Sequence, residues 1–349
     1  MAAFVWFTHQ PASTSWLKRE LATTRPYLRF AFARPGLTTF KVDDDARADE
    51  PSGSSFARAW GRSLGRATTV EEVLAAAGAA PGGEQPMVLH VFERDPDRPA
   101  DERDPAVAGT RAAALDAALR AAAPGRFVDR ALAHEGELVL DVIVAPAEEP
   151  DDGIFVGWHR HDATRGPLPG GVPHVAIPPA APSRAWAKIE EAIRWSGLTP
   201  RPGECAVELG SAPGGASFAL LERGLEVHGV DPGAMDPRVL AYVGPSGNRF
   251  THHAVPAAEV ARKDLPRTYE WLASDVNLAP MVALKYVERF VALAHGDLRG
   301  AFITLKLNDE GVFEALPRLA ARIAKLGAKR VRYTQLPSHR SEIVAILEW

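Results

Sequence analysis

The sequence predicts an α/β protein: a doubly wound, mostly parallel sheet in the second half, preceded by a separate α+β region. Three observations carry this. From Ser183 onward, short apolar runs alternate with helical patterns, the order that builds a doubly wound sheet. Within that half, Glu204 to Asp236 reads as a strand, a glycine-rich turn, a helix and a second strand closed by a carboxylate. Between the halves, Gly166 to Pro182 is dominated by proline and glycine, as an interdomain linker would be. The expected domains are therefore residues 1–165, a linker over 166–182, and residues 183–349.

In the second half, Ser183 follows a proline and is placed to cap a helix running to Trp195, with Gly197 to end it. Trp186, Ile189 and Ile193 form its apolar stripe, and Lys188 beside them reads, on spacing alone, as a solvated lysine. Strands follow at Ala206 to Leu209, Val227 to Val230, Arg249 to His252 and Trp271 to Ser274. A helix over Met281 to His295, a strand over Ala301 to Leu305 and a helix over Glu310 to Leu326 come next, then strands at Val331 to Thr334 and Ile343 to Leu347.

The first half reads as a strand at Phe4 to Phe7, a helix from Ser15 to Ala22, and a hairpin of Tyr27 to Ala33 with Leu37 to Val42 about Pro35-Gly36. Asp43 to Ser55 is acidic, then rich in turn formers, and reads as an exposed loop. A helix at Thr69 to Ala77, a strand at Met87 to Phe92, a helix at Pro105 to Ala123 and strands at Leu138 to Val144 and Ile154 to Trp158 complete it. His159 with His161, and His252 with His253, lack a carboxylate or cysteine at metal spacing, so both pairs are assigned to loops without a metal.

Composition excludes several classes. With 46% apolar and 24% charged residues, the chain has the make-up of a soluble globular protein. It holds no run of about 18 apolar residues that could span a membrane. Its start, MAAFVWFTHQ, lacks the charged and apolar regions of a signal peptide. Cys205, the single cysteine, excludes an internal disulfide or a cysteine zinc cluster and reads as a small core residue, which points to the cytoplasm. A net charge of −4 is not that of a globally basic nucleic-acid binder. Any RNA contact must use local basic faces, such as Lys18, Arg19, Arg25 and Arg29 among Trp16, Tyr27 and Phe30; solvated surface charge fits the same pattern.

The turn Gly210-Ser211-Ala212-Pro213-Gly214-Gly215 has neither the GxGxxG spacing of dinucleotide sites nor the Gly-Lys-Ser/Thr of a phosphate loop. With Asp231 placed to accept from ribose hydroxyls, the unit suits an adenosine-containing cofactor. Asp275 and Lys306 each end an apolar strand, which places them at the carboxyl edge where doubly wound sheets bind ligands.

Ala212-Pro213-Gly214-Gly215 resembles the cofactor motif of the FtsJ-like ribose 2′-O-methyltransferases. Lys188, Asp275, Lys306 and Glu342 fall, in order, where that family carries a Lys-Asp-Lys-Glu tetrad. The flanking text is similar as well: Pro182-Ser183-Arg184 and Glu190-Glu191-Ala192 about Lys188, Val230-Asp231 to Met235-Asp236, and Leu305-Lys306-Leu307. The resemblance covers roughly residues 180–349 and is strongest to the bacterial branch that methylates a cytidine ribose of 23S ribosomal RNA. It implies a Rossmann-like methyltransferase domain with a seven-stranded sheet whose last strand runs antiparallel, so that Glu342 joins the same edge. It further implies S-adenosylmethionine as cofactor, held by Gly210 to Gly215, Asp231 and Asp275, ribosomal RNA as partner, and a THUMP-like, RNA-binding N-terminal region. One departure stands out: where the family offers an acidic residue near the adenine, this chain has Thr251-His252-His253-Ala254.

The tetrad has a definite task. A ribose hydroxyl is a poor nucleophile until it loses its proton, so catalysis needs in-line positioning and a base. Lys306 is the expected base, and burial, Lys188 and the cofactor's positive charge are expected to lower its pKa against the pull of Asp275 and Glu342. Two other functions fit parts of the pattern: an RNA-binding or ribosome-assembly factor that keeps the fold with weak catalysis, and a small-molecule methyltransferase.

Overall fold

Both halves of the chain build a seven-stranded sheet, and the two sheets are of different kinds. The computed structural model describes residues 3–50, 53–97, 106–294, 296–307 and 310–349. The chain divides into two units, Met1–Pro173 and His174–Trp349.

In the N-terminal unit the elements are β1 (Ala3–Thr8), α1 (Thr14–Thr24), β2 (Leu28–Arg34), β3 (Leu37–Val42), β4 (Ala59–Ala67), α2 (Val70–Gly78), β5 (Val88–Glu93), α3 (Thr110–Ala122), β6 (Leu138–Val144) and β7 (Ile154–Arg160). The strand order is β2-β3-β1-β4-β7-β6-β5, and every pairing is antiparallel except β5 with β6. Val73 and Ala77 of α2 and Leu119 of α3 pack with Leu89, Leu140, Val156 and Trp158 of the sheet. The helix expected over Pro105 to Ala123 is observed from Thr110; Pro105 lies outside the described residues.

Two expectations change here. The sequence reading has no strand at β4, which nevertheless sits in the middle of the sheet between β1 and β7. Its glycines hide the apolar alternation, and packing requires them: a Cβ on Gly61 would lie 2.6 Å from the Trp158 carbonyl and 3.0 Å from the Trp6 ring. His159 lies inside β7, not in a loop, with its Nδ1 2.6 Å from Asp141 Oδ2 and both groups buried. The carboxylate comes from a neighbouring strand, so no local spacing could announce it. Burial works to raise Asp141, but His159 and His90 outweigh it and hold its carboxyl down at about 2. The proline-glycine stretch contains the division between the units, and residues on either side of that division contact their own unit. Thr8 Oγ1 donates to the Gly170 carbonyl at 2.8 Å, while Val175 and Ala181 pack on the core of the following unit.

The C-terminal unit runs α4 (Ala185–Ser196), β8 (Cys205–Leu209), α5 (Gly215–Glu222), β9 (Glu226–Val230), α6 (Pro237–Leu240), β10 (Phe250–His253), β11 (Trp271–Ser274), α7 (Pro280–Leu293), β12 (Gly300–Lys306), α8 (Glu310–Ala324), β13 (Arg330–Thr334) and β14 (Glu342–Glu348). The strand order is β10-β9-β8-β11-β12-β14-β13, with β10 through β12 parallel and β14 antiparallel to both neighbours. Trp186, Ile189 and Ile193 of α4 and Leu220 of α5 share a core with Trp271, Phe302 and Ile346. The alternate residues Val207, Leu272 and Ile303 are buried too, so the sheet is covered on both faces. α4 starts after Arg184, while the Ser183 hydroxyl accepts from Ala185 N at 3.3 Å without capping the first turn in the expected way. Among the described residues no helix is long and apolar enough to cross a membrane.

A core test follows from the glycines beneath Trp6. A Cβ on Gly157 would collide with the Trp6 indole. Gly157→Ala should therefore destabilise the N-terminal unit by about 1–3 kcal/mol. It should lower the urea midpoint at unchanged slope; an unchanged midpoint would mean the indole has room to move.

Candidate active site

Strand order decides where a ligand sits in the C-terminal unit. From β8 the chain builds outward through β9 to β10, then returns to β11 on the other flank of β8. Loops leaving the carboxyl ends at such a reversal diverge and open a crevice. Gly210 to Gly215 and Asp275 both leave strands there, and Asp275 N donates to the Leu209 carbonyl at 2.9 Å.

The glycine turn is shaped by contact. Gly210 has φ 80°, and a Cβ on it would lie 2.6 Å from the Asp275 carbonyl oxygen; Gly214 has φ 114°, and a Cβ there would lie 2.7 Å from Val239 Cγ2. Both positions need glycine for conformation and for room. Gly215 opens α5 directly against Ser183. Ser211 is buried, with its hydroxyl 3.6 Å from the Met235 sulfur, and the Pro213 carbonyl accepts from Asp236 N at 2.9 Å. Asp231 ties the end of β9 to this turn: Oδ2 accepts from Ala212 N at 3.3 Å and Oδ1 from Gly233 N at 2.6 Å. Lone pairs remain on both oxygens for a further donor.

Beside the turn, four charges close a ring. Lys188 Nζ donates to Asp275 Oδ2 at 2.8 Å and lies 2.5 Å from Glu342 Oε2. Lys306 Nζ donates to Glu342 Oε1 at 2.8 Å and lies 3.6 Å from Asp275 Oδ1. The sheet sets this up, because Lys306 and Glu342 are direct partners in the β12–β14 ladder and β11 neighbours β12. The four side chains keep only 14–20% of their exposure. Lys188 is thus no solvated lysine: the face of α4 next to its apolar stripe looks onto two carboxylates.

The ring also reverses an expectation. Burial works to lower Lys306, but the Glu342 hydrogen bond and the Asp275 charge outweigh it, and the ammonium is held above its ordinary value. Burial likewise works to raise Asp275, yet Lys188 and Lys306 together hold its carboxyl below the usual range. In this arrangement Lys306 is a cation.

Three neighbours escaped the sequence reading. Glu208, on β8, is buried and accepts from the Ser217 hydroxyl. Burial pushes its carboxyl up to about 8, with Asp275 and Asp231 adding to the rise. It shares a recess with Lys188, Ser274, Asp275 and Thr304. A carboxylate inside an apolar run, one residue short of the glycine turn, was the available signal. His339 is fully buried and held at about 3 by burial and then by Lys188. Glu191, one helical turn beyond Lys188, is buried against Ser338.

On the far side of Asp231, the strand expected near Arg249 to His252 is β10, and it takes in both His252 and His253, so the pair does not lie in a loop. A His252 Nε2 hydrogen bond reaches the Asp231 carbonyl at 2.9 Å, and His253 stacks on His228 at 5.4 Å between centroids. Burial, then His253, holds His228 at about 4, so the stack is uncharged at neutral pH. Cys205 is half-buried, its thiol pushed up to about 12 by burial, which suits packing and not nucleophilic attack.

Residues 181–304 match the family described as FtsJ-like methyltransferase. Proteins named ribosomal RNA large subunit methyltransferase M are similar to this chain. That of Methylococcus capsulatus is 32% identical over 208 residues, covering 56% of this chain and 54% of the relative. That of Alkalilimnicola ehrlichii is 32% identical over 191 residues, 52% of this chain and 50% of the relative. That of Halorhodospira halophila is 33% identical over 179 residues, 50% and 49%. The chain spans about half the length of the curated relatives it matches. Within the C-terminal unit, residues 181–304 are thus similar to an FtsJ-like methyltransferase domain.

Glu208 offers a test independent of activity. Between 4.5, its ordinary value, and about 8, the folded chain keeps a proton that the unfolded chain has released. Stability is therefore lost as pH rises through that window. Glu208→Gln keeps an acceptor for Ser217 and cannot ionise. Its unfolding free energy relative to wild type should grow by about 1 kcal/mol per pH unit between about pH 5 and 8. Urea melts across that range check it; a flat difference would mean the carboxyl ionises in place.

Proposed function

We propose that this chain is an S-adenosylmethionine-dependent RNA 2′-O-ribose methyltransferase, with 23S ribosomal RNA as substrate and a cytidine ribose as acceptor. The observation that carries the reading is the closed Lys188–Asp275–Lys306–Glu342 ring beside a glycine turn at the carboxyl edge of the sheet. The substrate class rests on the similarity to large-subunit methyltransferases over half the chain.

The cofactor of this domain is S-adenosylmethionine, and the residues fit it. Gly210 and Gly214 let the turn close against the Asp275 carbonyl and Val239 at the mouth of the crevice, and Asp231 has acceptor capacity left for ribose hydroxyls. When bound, it supplies a methyl group on a positively charged sulfur.

The chain's own residues then orient the acceptor hydroxyl and take its proton. Lys306 Nζ is the group for that step, and in the resting ring its proton is held too firmly. A positive charge placed beside Asp275 weakens that carboxylate's hold on Lys306 and favours the neutral amine. Lys188 bridges Asp275 and Glu342, so both carboxylates stay in place when Lys306 turns to the hydroxyl. Glu342 keeps the amine aimed at the crevice and receives its hydrogen bond in either protonation state.

The N-terminal unit supplies RNA affinity in this reading. Support comes from cations over aromatic rings at its surface: Lys18 lies 3.6 Å from the ring centre of half-exposed Phe30, Arg34 4.5 Å from that of Phe32, and Arg66 4.8 Å from that of Phe155. Such pairs suit stacked bases and phosphates.

Two measurements test the reading. In titration calorimetry, Gly214→Val should abolish S-adenosylmethionine binding; undiminished affinity moves the cofactor elsewhere. Lys306→Met should still bind cofactor, while single-turnover methyl transfer to RNA falls by roughly 10²–10⁴-fold. Arginine at 306 keeps the charge but cannot give up its proton, so it should not rescue. A near-wild-type rate for Lys306→Met would reduce this lysine to a strand-end charge. Wild-type chain that binds RNA without methylating it would favour the assembly-factor alternative.

A further inference from the structure

Glu191 is not a member of the ring, yet the turn leading into Glu342 hangs from it. Its side chain is buried on α4, three residues beyond Lys188 and so on the same side of the helix. Its Oε2 accepts from Ser338 N at 2.9 Å and its Oε1 from the Ser338 hydroxyl at 2.7 Å. A buried carboxylate is costly unless its oxygens find donors, and one residue of the turn serves both oxygens here.

That turn is under strain. Pro337 to His339 form a single helical turn, after which Arg340 takes φ 44° and ψ −105°. Arg340 is the one non-glycine residue with positive φ among the described residues. Such a conformation persists only when its surroundings hold it. The holders are visible: Gln335 Nε2 donates to the Arg340 carbonyl at 2.6 Å, Leu307 N donates to the Ser341 carbonyl at 2.9 Å, and Glu191 grips Ser338. Two residues past Arg340, Glu342 opens β14.

We propose that Glu191 is a positioning residue for the four-charge ring: by clamping Ser338 it holds the strained turn, and with it Glu342, against Lys188 and Lys306. One helix thereby carries both a ring lysine and the anchor of a ring carboxylate. Without the clamp the turn relaxes and Glu342 draws back from Lys306. Lys306 is faced by Glu342 from β14, by Asp275 from the end of β11 and by Lys188 across the ring; His339, beside Lys188, stays neutral at working pH. Withdrawal of Glu342 removes the hydrogen bond that holds the proton on Lys306, so its amine should titrate at lower pH.

The lysine side chains, labelled with carbon-13 at Cε, report this directly in the intact chain, with the Lys306 signal identified by its loss in Lys306→Arg. In Glu191→Ala, Lys306 should titrate at least about one pH unit below wild type, the direction that Glu342→Gln also gives. Glu191→Gln, which keeps one acceptor, should fall between. In single-turnover assays the rise of rate with pH should move the same way while the high-pH plateau drops at least about tenfold, because the base is no longer aimed. A destabilised but correctly arranged ring would leave both readouts unmoved. An unchanged Lys306 titration in folded Glu191→Ala overturns the proposal. Should that variant not fold, Ser338→Ala, which removes one bond of the clamp, must still shift Lys306 downward, and no shift overturns the proposal equally. The rate measurement rests on the methyl-transfer reading and the titration does not. A wild-type chain that titrates as expected but methylates no RNA sinks that reading and leaves the clamp standing.

Discussion

Four ionised side chains share a site that is mostly out of water, and none of them can be left without its partners. A part-buried charge loses hydration that only an opposite charge or a set of hydrogen bonds replaces. In the ring each lysine meets both carboxylates and each carboxylate meets both lysines. Net charge is zero and every member is doubly compensated. Removing any one leaves an unbalanced charge among three elements at once. This constraint fixes where α4, the end of β11, the end of β12 and the start of β14 must lie relative to one another, and it explains why an antiparallel strand completes the sheet. Only a strand running against β12 brings its first residue level with Lys306, the last residue of its neighbour.

The glycine turn depends on the same edge. Gly210 is forced to be glycine by the Asp275 carbonyl, so the turn and the backbone of a ring member constrain each other through one contact. Asp231 closes the opposite end by holding Ala212 and Gly233. The glycine turn and the ring therefore share one edge of the sheet, with Asp275 at their junction.

Much of this was legible in the sequence because it is local. Strand, glycine turn, helix and closing carboxylate occupy consecutive residues, so Gly210 to Asp231 announced itself, and the strand-end positions of Asp275 and Lys306 followed from apolar runs. What escaped was set by contacts distant in sequence. β4 was invisible because Trp6 and Trp158 demand glycine where alternation would have shown an apolar residue. Lys188 looked solvated because its partners arrive from residues 275 and 342. His159 looked unaccompanied because Asp141 comes from the adjacent strand. The direction of the Lys306 shift was misjudged for a related reason. Burial and the carboxylates oppose one another, and the 2.8 Å hydrogen bond to Glu342 together with the Asp275 charge outweighs burial.

That direction has a consequence for how such a site works. A lysine already neutral in the resting state would be a base at all times, free to take protons from water and to lose the ring's balance of charge. A lysine held as a cation is inert until something competes for its carboxylates. In the proposed reaction a positive charge brought beside Asp275 would be that competitor, and Lys306 would then give up its proton more readily. Asp275 is the member of the ring best placed to feel such a competitor, because its backbone abuts the glycine turn while its carboxylate faces Lys306.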